Sequence, residues 1–250
     1  MALYKSSNPA LNSKIFKSAS ITDNTADVMT INGTVNKTAL LALLAFAAAV
    51  FTWDIFMVNQ DIASVQPYIF GGFILGFITA IIIIFKKTLA PYLAPLYCLF
   101  EGLALGGISA MMEMSYPGIV LQAIVLTFGI LFGLLIIYRL GIIKATENFK
   151  LMVTSATAGI AFLYLVSFIG GFFGFNLPFL HDNSPLSIGI SLVIVAIAAL
   201  NLVMDFDFIE EGAAAKAPKY MEWYGAFGLM VTLIWLYLEI LRLLSKLRSR

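Results

Sequence analysis

Five carboxylates of this sequence lie within long apolar segments or at their edges. A carboxylate in hydrocarbon is energetically costly, and it usually marks an ion or proton pathway. Burial disfavours the ionised form, so two neighbouring acids would share one proton and titrate as a unit. Such a pair could sense pH and, once ionised, offer oxygen ligands to calcium. The five residues are Asp54, Glu101, Asp205, Asp207 and Glu239.

Asp205 is the strongest candidate among these acids. It precedes the end of the sixth apolar segment, because Phe206, Phe208 and Ile209 still follow it. Asp207 lies roughly 200° further round a helix, so it is expected to face water. The alternative for Asp205 itself is an interfacial carboxylate in contact with water.

Glu239 and Glu101 are the other two acids that we predict to be functional. Glu239 lies in the most apolar part of the last segment, where Arg242 offers an ion pair three residues away. Glu101 lies about 10 residues, or ~15 Å, inside the third segment. We therefore predict Asp205, Glu239 and Glu101 as proton-sensing and ion-pathway residues. Asp205 and Glu239 are also the candidate calcium ligands.

The composition is that of a polytopic membrane protein. Of 250 residues, 61% are hydrophobic and 12% charged, against roughly 25% charged in soluble domains. The net charge of +1 gives no reason to expect nucleic acid as a partner, and a single cysteine, Cys98, excludes an intramolecular disulfide. No zinc-ligand spacing, phosphate loop or nucleophile elbow occurs, so we expect neither an enzyme nor a cofactor.

Seven apolar segments follow a polar N-terminal stretch. Each has about the 20 residues that a helix needs to cross a bilayer. The sequence predicts an all-α fold with a polar tail at 1–36 and a seven-helix membrane domain at 37–250. The predicted spans are 39–58, 66–85, 91–112, 117–138, 151–173, 186–206 and 224–244.

Basic residues predict the orientation of the chain. They lie before the first segment and in every second loop, whereas the loops near 59–65, 113–116 and 174–185 contain none. The positive-inside rule then places the N-terminus in the cytoplasm. The basic C-terminus, from Arg242 onwards, would lie outside after seven crossings. The alternative is a re-entrant last segment with both termini inside, and we adopt seven crossings.

Glycine pairs at four-residue spacing predict close helix packing, because small residues let helix backbones approach each other. The pairs are Gly72/Gly76, Gly102/Gly106, Gly129/Gly133 and Gly170/Gly174.

Several motifs resemble the bacterial branch of the Bax inhibitor-1 family. The sixth segment ends in a hydrophobic-Asp-x-x-x-Ile pattern at 204–209, and the last carries Leu-Tyr-Leu-Glu at 236–239. The basic pair Lys86-Lys87 precedes a segment that contains Glu101-Gly102. SNPALN near the N-terminus and AAKAPKYMEWY before the last segment are also similar. The resemblance covers about residues 37–250.

The resemblance implies a fold, a function and roles for particular residues. The fold would have seven helices with the last one central, in a bacterial plasma membrane, and the protein would be a pH-sensitive calcium leak channel. Asp205 and Glu239 would be the acid pair that shares a proton. Lys86 or Lys87 would be the latch, a basic residue that holds the pore closed, and Arg242 is a further candidate.

The pairing of Asp205 with Glu239 depends on the path of the last helix. If this helix ran straight from Tyr220, Glu239 would lie roughly 28 Å from its inner end, and the pair could not meet. Pairing therefore requires residues 212–223 to lie along the membrane surface, with the crossing begun near Gly225 or Gly228.

Besides the lipid bilayer, calcium and protons, the partners could include another membrane protein. In this alternative the chain is a non-conducting regulator that binds a membrane protease or a stress factor through its polar tail and glycine-rich faces. A proton-coupled small-molecule transporter would use the same acids.

Overall fold

A computed structural model describes residues 28–174, 180 and 182–249 of the chain. Within these residues, seven helices are long and apolar enough to cross a membrane. The predicted all-α polytopic fold is thus confirmed. The helices are α1 (Ile31–Asn59), α2 (Ile62–Phe85), α3 (Ala90–Ser115), α4 (Ile119–Arg139), α5 (Glu147–Phe172), α6 (Pro185–Ala214) and α7 (Met221–Arg248). One 3-10 turn, Lys87–Leu89, connects α2 to α3.

The first helix begins inside the segment predicted as an irregular tail. Thr30 caps α1, because its side-chain oxygen accepts a hydrogen bond of 3.0 Å from the backbone N–H of Gly33. Residues 31–36 are therefore helical, and the rest of the predicted tail, up to residue 27, lies outside the described residues. A capping residue ahead of an apolar run was the signal for this earlier start.

Helices α1, α2 and α3 pack closely against one another at glycine residues. A Cβ built on Gly72 would lie 2.4 Å from the carbonyl oxygen of Phe100, and one on Gly106 would lie 2.1 Å from that of Ala49. These contacts confirm the predicted packing role of the glycines of α2 and α3. The prediction is wrong for Gly129 and Gly133 of α4, where an added Cβ would meet nothing within 4 Å.

The second glycine of the Gly170/Gly174 pair has no packing role either. Gly174 lies beyond the end of α5 with φ +72°, and an added Cβ there would meet nothing within 4 Å. Its positive φ suits glycine at the end of a helix.

The last helix lies at the centre of the bundle, as predicted. It packs against α1, α3, α4 and α6. On the α3 side the rings of Tyr97 and Phe227 meet edge to face with centroids 5.0 Å apart, and the hydroxyls of Ser109 and Tyr237 are 2.6 Å apart.

Helix α7 crosses the whole bundle. Near its start, the N–H of Met29 donates to the carbonyl of Ala217 at 2.7 Å, beside the beginning of α1. Near its end, Arg248 donates to the carbonyl of Pro117 in the α3–α4 loop at 2.6 Å. The re-entrant alternative is therefore wrong, and the basic end of α7 lies opposite the N-terminus of α1.

A candidate ion pathway along the last helix

Polar side chains form a line on the side of α7 that faces α5 and α6. We call this line the polar track; it consists of Thr232, Trp235, Glu239, Arg242 and Lys246. Residues three, four or seven apart lie on one face of a helix, which is why these five share a side. The track extends from the level of Asp205 on α6 to the C-terminal end of α7.

Asp205 faces the N-terminal part of the polar track, near Thr232. The residue is only 8% exposed, and its carboxylate lies beside the hydroxyl of Thr232, which donates to the carbonyl of Gly228 at 3.3 Å. Its Oδ2 atom has no hydrogen-bond partner within the part of the chain that the structure describes. Because buried polar atoms are normally satisfied, an oxygen of this kind is suited to hold a proton or a cation.

Glu239 lies in a network of donors in the middle of the track. It is 2% exposed, and its Oε1 accepts hydrogen bonds from the Tyr164 hydroxyl at 2.8 Å and from the Trp235 indole at 3.2 Å. Arg242 lies 3.4 Å from the same oxygen, so the expected i,i+3 ion pair is formed. Arg242 also donates to the Tyr164 hydroxyl at 2.6 Å. Glu239 is thus positioned by α5 as well as by its own helix.

The structure does not bring Asp205 and Glu239 together. Asp205 contacts Thr232, and Glu239 lies seven residues further along α7, a rise of about 10 Å. The reason is that α7 begins at Met221 rather than near Gly225 or Gly228. No hydrogen bond joins the two acids among the described residues, and the shared-proton pair and its calcium site stay predictions.

The described residues contain no group of three or more His, Cys, Asp or Glu side chains that could hold a metal ion. A cation bound at Asp205 or Glu239 would therefore need oxygens other than carboxylates. Thr232 and Tyr164 supply hydroxyl oxygens at these two places.

Glu101 is buried away from the polar track. It is 7% exposed in the middle of α3, and its Oε1 would lie 2.5 Å from a Cβ added at Gly76 of α2. The α7 residues that contact α3 and α6, Phe227 and Thr232, are about 140° apart round the helix. Glu101 and Asp205 thus lie on different sides of α7, and a pathway role for Glu101 stays a prediction.

The three latch candidates have different surroundings. Lys87 places its ammonium 5.5 Å from the centre of the Tyr224 ring at the start of α7, and Lys86 is exposed. Within the described ranges, neither lysine forms an ion pair with Asp205 or Glu239. Arg242 is the candidate that contacts a predicted acid.

Asp207 forms an ion pair where sequence reasoning expected a water-facing acid. Its carboxylate lies 2.5 Å from the ammonium of Lys150 and is 19% exposed. Lys150 also lies 3.0 Å from Glu211, so the beginning of α5 is held against the end of α6. The register of α5 against α6 is not encoded in a local sequence pattern, and so this contact could not be predicted.

Glu222 is a buried acid that sequence reasoning missed. Its side chain is fully buried in the first turn of α7, where it accepts hydrogen bonds from the backbone N–H and the hydroxyl of Thr30 at 2.9 and 2.8 Å. Lys37 and Lys219 form ion pairs with it. The Lys219–Glu222 spacing was the one sequence signal, since Thr30 and Lys37 lie about 190 positions away, at the cap and in the second turn of α1.

A seven-helix bundle with acids buried along its central helix defines a polytopic membrane protein with a candidate proton or cation pathway. The family model described as Bax inhibitor 1 like matches residues 8–249, so the chain belongs to this family. No curated protein gives a significant match to the chain, and neither does any solved structure.

Proposed function

We propose that this protein is a pH-sensitive calcium leak channel of the bacterial plasma membrane. The observation that carries the proposal is the buried carboxylate of Asp205, which has one oxygen without a hydrogen-bond partner among the described residues. It lies against the polar track of the central helix. Membership of the Bax inhibitor 1-like family supports the same function.

In this proposal the two acids act at separate levels of the track. Asp205 gains or loses its proton beside Thr232. Its charge then determines how strongly the N-terminal part of the track attracts a cation. Glu239 is held by Tyr164 and Arg242, so its charge is balanced by an adjacent guanidinium. Calcium is the transported ion, and the proposal requires no cofactor and no enzymatic step.

The test is calcium flux into liposomes that contain purified protein, measured at neutral and mildly acidic pH. Asp205→Asn removes the titratable group while it preserves shape, so we expect the variant to lose the pH response of the wild type. Glu239→Gln should alter the flux as well, because Arg242 would lose its partner. The matched control is Asp54→Asn, an exposed acid on α1 that should behave as the wild type. An unchanged pH response in Asp205→Asn would remove Asp205 from the sensing role.

The second candidate function is a non-conducting regulator that binds another membrane protein. The open glycine face of α4 at Gly129 and Gly133 favours it, because a partner helix could approach closely there. Protein-free lipid vesicles separate the two functions: a regulator gives no calcium flux in them under any condition, whereas a channel does.

A further inference from the structure

Lys246 is a buried cation at the C-terminal end of the polar track. It is 5% exposed, although it is the fifth residue from the end of the chain. Its ammonium donates hydrogen bonds to the carbonyl of Leu180 at 2.8 Å, to the hydroxyl of Ser187 at 2.7 Å and to that of Ser191 at 2.9 Å. Three acceptors match the three N–H donors of a protonated lysine.

No carboxylate of the described residues lies within ion-pair distance of Lys246. Burial of a charge without a counter-ion is costly, so a lysine in this place is not explained by packing alone. Its three partners are one carbonyl and two hydroxyl oxygens, which are the neutral oxygen ligands that hard cations accept in proteins. The ammonium thus occupies a place where a small cation could bind.

The position of this oxygen site relates it to the pathway. Lys246 lies seven residues beyond Glu239 on the same side of α7, which is a rise of about 10 Å. Ser187 and Ser191 belong to the first two turns of α6, so the site lies at the outer end of the groove between α6 and α7. An ion that follows the track from Asp205 past Glu239 would meet this site last.

We propose that the ammonium of Lys246 is a tethered cation that occupies the outer oxygen site of the track and blocks ion passage there. The inference rests on the proposed channel function. A calcium ion cannot enter the site while Lys246 holds all three oxygens, and the positive charge repels it from the surrounding groove. Opening then requires the end of α7 to move the ammonium away from Ser187 and Ser191.

Other charges near the site support this arrangement. Arg242, one turn before Lys246, is paired with Glu239, so Lys246 is the cation of the polar track that no acid of the described residues balances by an ion pair. Asp182 precedes α6, and the hydrogen bond from the Ser184 hydroxyl, at 2.9 Å, holds the pKa of its exposed carboxyl below the ordinary value. Asp182 is therefore ionised at neutral pH and provides an attractive charge at the outer surface, beyond the blocking ammonium.

The experiment measures calcium entry into liposomes at neutral pH for the wild type, Lys246→Met and Lys246→Arg. Methionine has a similar length but no charge, so we expect calcium entry to rise on the order of tenfold. Arginine retains the positive charge and should keep the flux close to that of the wild type. The matched control is Lys144→Met, which removes an exposed lysine in the loop between α4 and α5 and should change nothing.

The outcomes separate this inference from the proposed function. A pH-sensitive wild-type flux that Lys246→Met leaves unchanged would overturn the blocking role alone, and so would an equal rise in Lys246→Arg. Absence of flux in every variant at every pH would overturn the channel function and the blocking role together. If Lys246→Met does not fold, Ser191→Ala tests the same idea. It removes one of the three acceptors and should raise the flux in the same direction, and an unchanged flux would contradict it.

Discussion

At the scale of residues, the three buried carboxylates of α6 and α7 differ in how their charges are balanced. Glu222 accepts hydrogen bonds from Thr30 and forms ion pairs with two lysines. Glu239 forms an ion pair with Arg242 and accepts hydrogen bonds from a tyrosine hydroxyl and an indole N–H. Asp205 lies beside Thr232 and keeps one oxygen without a partner in the described ranges. Among the three, Asp205 is the acid whose charge state is least fixed by its neighbours, whereas Glu222 is bound as a structural contact.

Replacement of Glu222 should therefore reduce stability more than replacement of an exposed acid. Glu222→Gln removes the charge that balances Lys37 and Lys219, and loss of one partner of a buried ion pair costs on the order of 3 kcal/mol. We expect a lower thermal unfolding midpoint in detergent. Glu147→Gln is the matched control, because Glu147 is an exposed acid in the first turn of α5. Equal midpoints for the two variants would contradict a structural role of Glu222.

At the scale of elements, close approach of α1, α2 and α3 forms one side of the bundle. The backbones come close enough that even a Cβ would overlap a neighbouring carbonyl at Gly72, Gly102 and Gly106. Helix α5, in contrast, is held near its start by Lys150 and further along by Tyr164. Helix α5 therefore contacts α6 and α7 through polar side chains at both places, whereas α6 is packed into the apolar core and the first three helices approach at their backbones.

Alanine substitutions at two glycines test this difference. In Gly106→Ala the new Cβ would lie 2.1 Å from the carbonyl oxygen of Ala49, so α1 and α3 must separate and the protein should unfold at a lower temperature. Gly129→Ala adds a Cβ in open space and should be neutral or slightly stabilising, since alanine favours helix by about 1 kcal/mol over glycine. Thermal unfolding of the two variants in detergent makes the comparison. A destabilised Gly129→Ala beside an unaffected Gly106→Ala would refute the assignment of the packing faces.

At the scale of the whole molecule, the two ends of the described chain lie on opposite sides of the bundle. Seven crossings place the end of α7 beside the α3–α4 loop and the start of α6, where the sequence has no basic loop residues. The basic residues at the end of α7 are thus an exception to the charge rule. Lys246 and Arg248 are bound within the bundle by oxygen atoms, which gives a structural reason for positive charge at that end.

Thiol labelling of intact cells tests this topology. In a Cys98→Ala background, single cysteines at Asp182 and Ser249 should react with a membrane-impermeant reagent, while a cysteine at Lys144 should react after the cells are opened. The physical reason is that an odd number of crossings separates Lys144 from the other two positions. Labelling of positions 144 and 249 from the same side would contradict seven crossings, and the reverse pattern would invert the predicted cytoplasmic N-terminus.

The amino-acid sequence was enough to predict the class and the general architecture of this protein. Apolar runs of about 20 residues must be helical in a bilayer, because their backbone groups find no other hydrogen-bond partners there. Seven such runs therefore predict the all-α bundle. The motifs around Asp205 and Glu239 indicated the Bax inhibitor 1-like family, and the family model matches residues 8–249. The Glu239–Arg242 ion pair was also predictable, since both residues belong to one helix.

The contacts between side chains of different helices, in contrast, depend on how the helices pack in three dimensions. Hydropathy does not contain the rotation and register of one helix against another, and these are set by packing along the whole length of each helix. For that reason the sequence suggested an Asp205–Glu239 pair, whereas the helices bring Asp205 to Thr232 and Glu239 to Tyr164. The same register places Lys246 between Ser187 and Ser191, a contact between residues more than 50 positions apart that no local pattern encodes.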